Sequence, residues 1–520
     1  MAAWCHETSR IPTVTLRRVN GIGGGAGRAS GDGGIPSEGT PEDLLFERLH
    51  AFRSGDLDTK GGRTWAYVYD PGRADIDRVT KRALLDFYDE NALDPTVFPS
   101  LLRIENEVIA MARAHLGGGP EVVGSFTTGG TESIMMAVKA ARDRARERRP
   151  DLTSPTMVLP VTAHAAFHKA AHYFEVEAIS VPADTTTWKA DVDAMAAACD
   201  DRTILLVGSA VSYAHGVVDP IPELGRLALE RDLLLHVDGC IGGFILPYLR
   251  RLGRDVTPFD FSVPGVTSIS MDFHKYAYCP KGSSVVLYRD AELRRHQLYA
   301  KAAWTGYTVI NTTFQSTKSG GALAATWAAL NYVGDQGYLD IAERTIAAVD
   351  AIREGIEQIP DLHVMVAPES NLVTLVSDTV NVFDVVDQMR THRWYVQPQL
   401  GFAGSRENIH LSVGGASLPL VPELLADLAQ ACEAARANPT PPPDPAIVDL
   451  LHSIDPATLD GEAFDLLLAG AGIGGAPGAA PDVPDATAGI NAILNVCPPE
   501  LAERVLVEFF NRLYVPDPPT

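Results

Sequence analysis

The stretch that decides the fold is Ser268-Ile-Ser-Met-Asp-Phe-His-Lys-Tyr-Ala-Tyr-Cys-Pro-Lys281. Its apolar beginning, Ser268–Met271, predicts a short buried strand that delivers His274 and Lys275 into a loop with two tyrosines. A lysine at a strand end is most often only a solvated charge. If Lys275 instead forms a covalent imine with a cofactor, it must lie in a cleft where desolvation and a nearby cation lower its pKa.

A second informative stretch lies upstream, at Gly124-Ser-Phe-Thr-Thr-Gly-Gly-Thr-Glu-Ser133. This loop, rich in glycine and threonine, opens directly into a predicted helix over 131–148, so free backbone N–H groups and the positive end of the helix dipole face the loop. Glycine allows the backbone to approach an anion, and Thr131 adds a hydroxyl, which together predict a phosphate cradle. It is not a Walker loop, because no Gly-Lys-Ser/Thr follows. The alternative is an ordinary helix start without a ligand.

Asp238 ends a third stretch, the buried apolar run Leu233–Val237, and small residues follow it. In open α/β sheets, ligands bind at the edge where parallel strands end. A carboxylate at that edge can pair with a protonated ring nitrogen, since each charge favours the ionised form of the other. The alternative is a structural aspartate that caps a turn.

Three histidines, His164, His168 and His172, lie at helical spacing on one predicted face. A metal site there lacks support, because no Glu follows the first histidine as in His-Glu-x-x-His and no second pair of Cys or His ligands is evident. We therefore predict no metal. His164, at the loop end, is suited to stack on a cofactor ring, and the other two are expected to be helix-face residues.

Between residues 80 and 320, short apolar runs alternate with amphipathic segments. This alternation predicts a mostly parallel sheet with helices on both faces. The runs are Met157–Val161, Ile204–Val207, Leu233–Val237, Ser268–Met271 and Ser284–Tyr288. Further along, helices over 322–333 and 338–358 and strands at Leu372–Val376 and Ile409–Val413 predict a smaller α+β domain.

These patterns divide the chain into four predicted segments. Residues 1–60 form an N-terminal arm, partly flexible; 61–318 form the large domain; 319–437 form the small C-terminal α+β domain; and 438–520 form a Pro/Gly/Ala-rich tail with a terminal helix. The glycine-rich stretch Gly21–Gly27 is interpreted as a linker, because no strand–turn–helix unit surrounds it to make a dinucleotide loop.

Composition narrows the class of partner. The 520 residues carry a formal charge of −23, which disfavours a nucleic acid or an anionic membrane surface as the main partner. The six cysteines are scattered, with no Cys-x-x-Cys pair, and no run approaches the roughly 18 to 20 apolar residues of a membrane helix. We therefore expect a cytoplasmic protein with no membrane or nucleic-acid partner.

The phosphate cradle, a stacking histidine, a carboxylate for a ring nitrogen and a lysine follow one another on successive strand ends. A fold-type I enzyme of pyridoxal 5′-phosphate (PLP) requires this order. From about residue 60 to 435 the chain resembles the group II PLP-dependent decarboxylase superfamily, and within it most closely the sphingosine-1-phosphate lyase-like enzymes. The similar stretches are Thr128–Ala137, His164–Ala171, His215–Pro222, His236–Phe244, Val263–Ser270 and His274–Tyr288.

The resemblance implies a fold like that of aspartate aminotransferase, with a mostly parallel seven-stranded sheet in the large domain and a smaller α+β C-terminal domain. It implies that Lys275 forms the Schiff base with PLP, that Asp238 pairs with the pyridine nitrogen, and that His164 stacks on the ring. The other implied cofactor contacts are Gly130, Thr131, Ser209, Cys240 and His274, with Ser316 or Thr317 from the neighbouring subunit of a homodimer.

On the substrate side, the resemblance implies that Lys281 and Tyr69 assist binding and proton transfer, and that His215 and Asn91 face the substrate. One departure stands out. Where these lyases carry Asn-Pro-Leu-His-Pro, this chain has Asn91-Ala-Leu-Asp-Pro95, so Asp94 replaces a histidine. An aspartate there would repel a substrate phosphate. Lys318 likewise replaces an arginine, leaving a point charge in place of a bidentate fork.

Three hypotheses for the reaction follow. The first is a lyase that cleaves the Cα–Cβ bond of a β-hydroxy amine or amino acid, with or without a phosphate group, by retro-aldol chemistry. The second is an amino-acid decarboxylase. The third is a non-catalytic binding protein with a PLP fold. We expect a small amine or amino-acid substrate and a homodimer with shared active sites.

Overall fold

The computed structural model describes residues 35–459, 461, 464–465 and 486–515. The predicted linker Gly21–Gly27 and most of the predicted arm lie outside the described residues, as does the Gly/Ala/Pro-rich stretch 469–484. None of the described helices has both the length and the apolarity needed to cross a membrane.

Internal contacts divide the chain into two compact units. One comprises Thr59–Asp378 and Gly401–Ala429, and the other comprises Met1–Asp58, Thr379–Leu400 and Gln430–Thr520. This division groups the chain differently from the four predicted segments, whose boundaries stay a prediction.

The helices are α1 (Glu42–Phe52), α2 (Ala74–Asp86), α3 (Pro99–His115), α4 (Gly130–Arg148), α5 (Ala166–Phe174), α6 (Val192–Ala198), α7 (Ile221–Glu230), α8 (Gly242–Arg251), α9 (Ala291–Arg295), α10 (Gly320–Ile356), α11 (Val382–Thr391), α12 (Val421–Ala437), α13 (Pro445–Ser453), α14 (Ala488–Val496) and α15 (Pro499–Leu513). Short 3₁₀ turns span Arg53–Gly55, Leu418–Leu420 and Pro456–Thr458. The strands are β1 (Val123–Thr127), β2 (Thr156–Pro160), β3 (Glu177–Val181), β4 (Thr203–Ser209), β5 (Leu234–Asp238), β6 (Val266–Asp272), β7 (Ser284–Tyr288), β8 (Tyr299–Lys301), β9 (Val309–Asn311), β10 (His363–Val364), β11 (Leu372–Val376), β12 (Gln397–Gln399) and β13 (Asn408–Ser412).

A seven-stranded sheet in the larger unit has the order β1-β7-β6-β5-β4-β2-β3. Neighbours from β3 to β6 pair in parallel, whereas β7 runs antiparallel to both β6 and β1. All residues of β2, β4 and β7 are buried, as expected for a sheet that is covered on both faces. The predicted α/β fold with a mostly parallel seven-stranded sheet is confirmed.

This topology places the carboxyl ends of β1, β2, β4, β5 and β6 at one edge of the sheet. Strand β1 is included because two successive antiparallel pairings, through β7, leave it parallel to β6. Helices α4 and α5 pack on the sheet through a cluster that includes Ile134, Val138 and Phe167, against Met157 and Val207. Phe167 is fully buried, and full burial of such a side chain contributes about 1.5–3 kcal/mol. The edge is therefore held by a well-packed core.

The two helices predicted over 322–333 and 338–358 correspond to the two parts of α10, which are separated by a kink at Gly334, where φ is 64° and ψ is 171°. Glycine adopts that left-handed conformation without the strain that a Cβ would cause.

The sequence predicts a terminal helix over about 498–513 with four apolar residues on one face, namely Leu501, Val505, Leu506 and Phe509. The helix is confirmed as α15, but the placement of Leu506 is wrong. Leu501 is buried and Val505 and Phe509 pack in the same cluster, whereas Leu506 is 44% exposed. Residues 501, 505 and 509 repeat every four positions and share one face, and Leu506 lies about 100° around the helix from Val505.

Candidate active site

A cavity of about 400 Å³ opens at the carboxyl edge of the large sheet. Its lining brings together many of the residues that sequence reasoning selected. These are Gly130, Thr131, His164, Ser209, Asp238, Cys240, His274 and Lys275. The lining also contains residues that were not selected, namely Thr128, Gly129, Glu132, Ile134, Val211, Tyr213, Ile241 and Asp272.

The first turn of α4 forms one end of this pocket. Glu132 turns back on the loop, where its carboxylate accepts hydrogen bonds from the backbone N–H of Thr128 at 2.7 Å and from the Thr128 hydroxyl at 2.8 Å. Gly130 lies against buried groups, because a Cβ at this position would lie 2.6 Å from Cys240 Sγ and 2.9 Å from Asp272 Oδ2. Only glycine fits there, so the backbone N–H groups of the first turn remain accessible to an anion.

Asp238 also lines the pocket, at the last residue of β5. It is 6% exposed, and its Oδ1 accepts hydrogen bonds from the Cys240 backbone N–H at 3.0 Å and from the Ser270 hydroxyl at 3.3 Å. Two donors on Oδ1 fix the orientation of the carboxylate and therefore also the direction of Oδ2.

His164 lines the pocket at the start of α5. Its Nδ1 accepts a hydrogen bond from the Ala166 backbone N–H at 3.1 Å, so the proton of the neutral ring is on Nε2. His168 and His172 are exposed on α5. Among the described residues no group of histidine, cysteine and carboxylate side chains could hold a metal ion.

The floor of the pocket is defined as Asp272, which is buried, together with His274 and Lys275, which are partly buried. Lys275 Nζ lies 2.9 Å from Asp272 Oδ2, and His274 Nε2 lies 3.5 Å from the same oxygen. Burial alone would lower the pKa of Lys275, but the Asp272 carboxylate outweighs it and raises that pKa. Burial likewise favours a neutral Asp272, yet Lys275 and His274 hold its pKa below the ordinary value. The predicted lowering of the Lys275 pKa by a nearby cation is therefore wrong, because the nearest charge is an anion.

Tyr69 and Lys281, which we call the rim, are not among the residues that line the cavity, but each of them interacts electrostatically with Lys275. Lys281 Nζ lies 4.5 Å from the centre of the Tyr69 ring and donates a hydrogen bond to the Tyr67 carbonyl at 3.2 Å. Two effects lower the pKa of Lys281 to about 8. The larger is desolvation of the ammonium group, and the smaller is repulsion by the positive charge of Lys275. Burial raises the pKa of the Tyr69 phenol, which therefore stays protonated at neutral pH.

Floor and rim are joined by one loop, residues 273–283, between the antiparallel strands β6 and β7. The backbone N–H groups of Phe273 and His274 both donate to the Ser283 carbonyl at 3.0 Å, and Cys279 N–H donates back to the Phe273 carbonyl at 3.1 Å. The Ser283 N–H donates to His274 Nδ1 at 3.3 Å. These bonds brace the loop that carries both lysines.

Asn91 and Asp94 do not line the pocket. Asn91 forms an isolated bridge to Ser319, and its side-chain oxygen accepts from the Leu93 N–H at 3.2 Å. Asp94 is exposed, and its Oδ1 accepts from the N–H and hydroxyl of Thr96 at 2.8 Å and 2.6 Å. These bonds lower the pKa of Asp94. In this chain both residues stabilise local turns, and their contact with a substrate stays a prediction.

His215 also lies outside the pocket lining. Its ring stacks on Trp188 with centroids 4.7 Å apart, and its Nε2 lies 3.0 Å from the Ser405 hydroxyl. Burial lowers the pKa of His215 to about 4, so the ring is neutral. Ser316 and Thr317 are exposed and do not line the pocket of their own chain.

Lys318, which replaces an arginine of the lyase pattern, has a local partner. Its ammonium contacts both oxygens of Glu105, at 3.1 Å and 3.3 Å, and the Thr312 hydroxyl at 3.3 Å. The lysine is buried, so this pair fixes the chain just before α10 to α3.

Some of the pocket residues that sequence reasoning missed could have been recognised from a sequence pattern, and others could not. Asp272 ends a buried apolar strand, as Asp238 does, although Phe273 and His274 follow it instead of small residues. Val211 and Tyr213 belong to the loop after β4, and nothing in their local sequence indicates that they face a cavity.

The pocket fits a flat cofactor that carries a phosphate and a ring nitrogen. Gly130 leaves no room for a side chain at the helix start, which suits close approach of a phosphate. Asp238 presents an oriented carboxylate to a ring nitrogen, and Lys275 places an amine in the same pocket lining. The donor set therefore matches PLP, with Gly130 and Thr131 at the phosphate and Asp238 at the ring.

Comparison with known proteins agrees with this fit. Residues 75–377 match the family model described as the pyridoxal-dependent decarboxylase conserved domain. Residues 445–512 match a model for a proposed C-terminal HTH domain of pyridoxal-dependent enzymes.

Individual relatives point to the same family. Sphingosine-1-phosphate lyase of Arabidopsis thaliana is 41% identical over 361 residues, which are 68% of this chain and 65% of that protein. The chain thus spans slightly less than two thirds of that relative. Sphingosine-1-phosphate lyase of Oryza sativa subsp. japonica is 37% identical over 415 residues, 78% of this chain and 75% of that protein.

A solved structure extends the similarity to three dimensions. The sphingosine-1-phosphate lyase of Burkholderia pseudomallei superposes with a TM-score of 0.74 at 36% identity, covering 78% of this chain and 93% of that one. Sequence, fold and pocket lining thus agree, and the chain belongs to the pyridoxal-dependent decarboxylase family and takes PLP as its cofactor.

Proposed function

We propose that this chain is a PLP-dependent lyase that cleaves the Cα–Cβ bond of a β-hydroxy amine or β-hydroxy amino acid. The observation that carries the proposal is the rim, where Lys281 has a pKa of about 8 beside Lys275. Retro-aldol cleavage needs a base for the β-hydroxyl proton, and a group that titrates near neutral pH suits that task. Decarboxylation needs no such base. The rim therefore favours cleavage of the Cα–Cβ bond over loss of a carboxylate from Cα.

The residues that line the pocket bind and orient the cofactor. When bound, PLP supplies the electron sink for the broken Cα bond. Gly130 and Thr131 would hold its phosphate, His164 would stack on its ring, and Asp238 would keep the proton on the ring nitrogen. Lys275 Nζ is the amine that attaches the cofactor, and Asp272 holds that amine in the pocket at 2.9 Å.

The rim moves the protons. In its neutral form Lys281 Nζ accepts the β-hydroxyl proton, and the protonated Tyr69 phenol is available as a hydrogen-bond donor. An aldehyde leaves as the Cα–Cβ bond breaks, and one proton returned to Cα balances the proton taken from the hydroxyl. The products are an aldehyde and a shortened amine.

Product analysis tests this proposal. The purified enzyme loaded with PLP is incubated with sphingosine 1-phosphate, a β-hydroxy amino acid and a matched amino acid without the hydroxyl. We expect aldehyde without CO₂ from the two β-hydroxy substrates and no turnover of the third. Release of CO₂ without aldehyde would overturn the lyase proposal and identify an amino-acid decarboxylase.

The relatives named above are sphingosine-1-phosphate lyases, and Asp94 bears on whether a phosphorylated substrate carries over. Its exposed carboxylate is ionised at neutral pH, because bonds from Thr96 lower its pKa. We infer that it disfavours a phosphate at that position. Asp94→His should raise kcat/KM for a phosphorylated β-hydroxy amine by about tenfold, since one unfavourable charge contact is removed.

Asp184→His is the matched control, because Asp184 is also exposed and caps a threonine turn through the N–H groups of Thr186 and Thr187. It should leave kcat/KM unchanged. An equal response of both variants, or none from Asp94→His, would remove Asp94 from the account of substrate choice.

We also propose a homodimer in which the hairpin β8–β9 packs on the second copy. Apolar side chains are exposed along it, with Trp304 at 48%, Tyr307 at 60% and Ile310 at 58%. Exposed clusters of this kind mark association surfaces. Ser316 and Thr317 follow the hairpin, so the same contact would bring them toward the partner's pocket.

Light scattering tests the assembly. Ile310→Arg should convert the dimer to a monomer and lower activity, whereas Leu229→Arg, at a 62% exposed leucine of α7, should change neither. A fully active monomer would overturn the shared-site proposal.

Cys199, Cys240, Cys279 and Cys497 carry free thiols, which supports the proposed cytoplasmic location.

A further inference from the structure

A chain of buried polar side chains lies directly behind Asp238, inside the sheet. Strands β5 and β6 are in register so that Asp238 lies opposite Ser270 and His236 lies opposite Ser268. His236 and Ser270 are fully buried, and Ser268 is 5% exposed. His236 Nδ1 lies 2.8 Å from the Ser268 hydroxyl, its Nε2 lies 3.3 Å from the Ser270 hydroxyl, and that hydroxyl lies 3.3 Å from Asp238 Oδ1.

The direction of these bonds follows from counting protons. Burial lowers the pKa of His236 to about 4, so the ring is neutral and carries one N–H. The Ser270 hydroxyl donates its single proton to Asp238 Oδ1 and therefore has none left for His236. Ser270 then accepts from His236 Nε2–H, and His236 Nδ1 accepts from the Ser268 hydroxyl. Cys240 Sγ, 3.3 Å from the Ser270 oxygen, donates to it as well.

We propose that Ser270 and His236 are positioning residues that hold Asp238 against the ring nitrogen of PLP. The relay ends on Oδ1, which also accepts the Cys240 N–H, and within the part of the chain that the structure describes no hydrogen bond reaches Oδ2. The second oxygen is thereby turned to the pocket. Every donor of the relay points toward the carboxylate, so the relay stabilises the charged acceptor that keeps the ring nitrogen protonated.

A purely structural role explains His236 poorly. It lies beside Phe167, whose ring is 5.8 Å away, and Phe167 belongs to an apolar cluster. An imidazole in such surroundings costs free energy unless both nitrogens are bonded, and an apolar side chain would pack there without that cost. The relay ends in the pocket at the carboxylate of Asp238, to which Ser270 donates.

The decisive experiment compares two cofactors. Apoenzyme is titrated with PLP and with 1-deazapyridoxal 5′-phosphate, in which a carbon replaces the ring nitrogen, and the dissociation constants are obtained by absorbance. Ser270→Ala should weaken PLP binding by about ten- to a hundredfold, because it removes a hydrogen bond to a charged acceptor. The same variant should weaken binding of the deaza compound by less than about threefold, since no ring proton then depends on Asp238.

Two further variants separate positioning from folding. Ser270→Thr keeps the hydroxyl and should restore PLP affinity, and Ser270→Cys, a weaker donor, supplies the measurement should the alanine variant fail to fold. Thr156→Val removes a buried hydroxyl bonded to Thr203 at 3.0 Å and should lower the melting temperature without changing either dissociation constant. Equal losses for both cofactors in Ser270→Ala, or no loss for PLP, would overturn the proposal. Neither result depends on which substrate bond the enzyme breaks.

Discussion

The floor and the rim each carry one lysine, and the pKa values of the two amines shift in opposite directions. At the floor, Asp272 lies 2.9 Å from Lys275 and raises its pKa in spite of burial. At the rim, Lys281 faces the Tyr69 ring and a carbonyl oxygen, and its pKa falls to about 8. The comparison teaches that the presence of a carboxylate, rather than depth, decides which lysine stays charged and which one can exchange protons near neutral pH.

Of the variants that test this difference between the two lysines, Lys275→Ala should have the largest effect on activity. The variant loses the only floor amine, so the covalent attachment of PLP and its absorbance band at roughly 410–430 nm should disappear. Activity should fall on the order of 10⁴-fold or more, as for other covalent catalysts. A variant that still gave a borohydride-reducible bond to PLP would contradict the assignment of the floor.

Removing the titrating amine of the rim should have the next largest effect. Lys281→Arg keeps a positive charge but cannot act as a base near neutral pH, so kcat should fall by roughly 10²- to 10⁴-fold. In the wild type, the neutral form is the active base, so kcat/KM should rise with pH through about 8. That limb should vanish in the variant, and its survival would assign it to another group.

Breaking the ion pair of the floor should cost less. Asp272→Asn leaves Lys275 without its counter-ion, so the pKa of Lys275 should fall by about one to three units and the free energy of unfolding by about 3 kcal/mol. The pKa of Asp272 is lowered in the fold, so its contribution is present above pH 3.8 and is lost as pH falls below that value. Urea unfolding at pH 7 and pH 3 should show the difference between the two proteins shrinking in acid.

The matched control is an exposed pair. Arg251 contacts Asp335 at 2.6 Å, with the aspartate side chain 66% exposed. Asp335→Asn should cost less than about 1 kcal/mol. Equal losses for Asp272→Asn and Asp335→Asn would show that the floor pair is energetically ordinary.

The smallest effect is expected from the aromatic ring of the rim. Tyr69→Leu removes the π face that favours the Lys281 cation, so the pKa of Lys281 should fall by about half a unit, the equivalent of roughly 0.5–1 kcal/mol. Tyr69→Phe keeps the face and should leave that pKa unchanged. The pH dependence of kcat/KM measures both, and a shift in Tyr69→Phe as large as in Tyr69→Leu would attribute the effect to the phenol instead.

Much of the fold and the cofactor site could be predicted because parallel strands share one edge. Asp238, Lys275 and the Gly130 loop each follow an apolar run, and the rule that strand ends meet places them together. The exposure of Leu506 depends on packing and escaped detection. The direction of the Lys275 pKa shift was mispredicted, because it depends on the distance to Asp272 and on no feature of composition.

Residues on loops proved harder to predict. Tyr213 lines the pocket through the path of the chain after β4, which local sequence does not encode in a recognisable pattern. Asp94 and Ser316 are exposed in one copy of the chain, so their roles depend on assembly and stay predictions.

The braced hairpin loop 273–283 has a mechanical consequence. Both amines are carried by one closed turn whose ends are pinned by the register of Asp272 opposite Ser284 and by paired N–H groups on the Ser283 carbonyl. The spacing of the two lysines is therefore set when the chain folds and does not require the closure of a lid or a domain. In the proposed reaction both lysines are in place before the substrate binds, so the entropy of ordering them is not lost in each turnover.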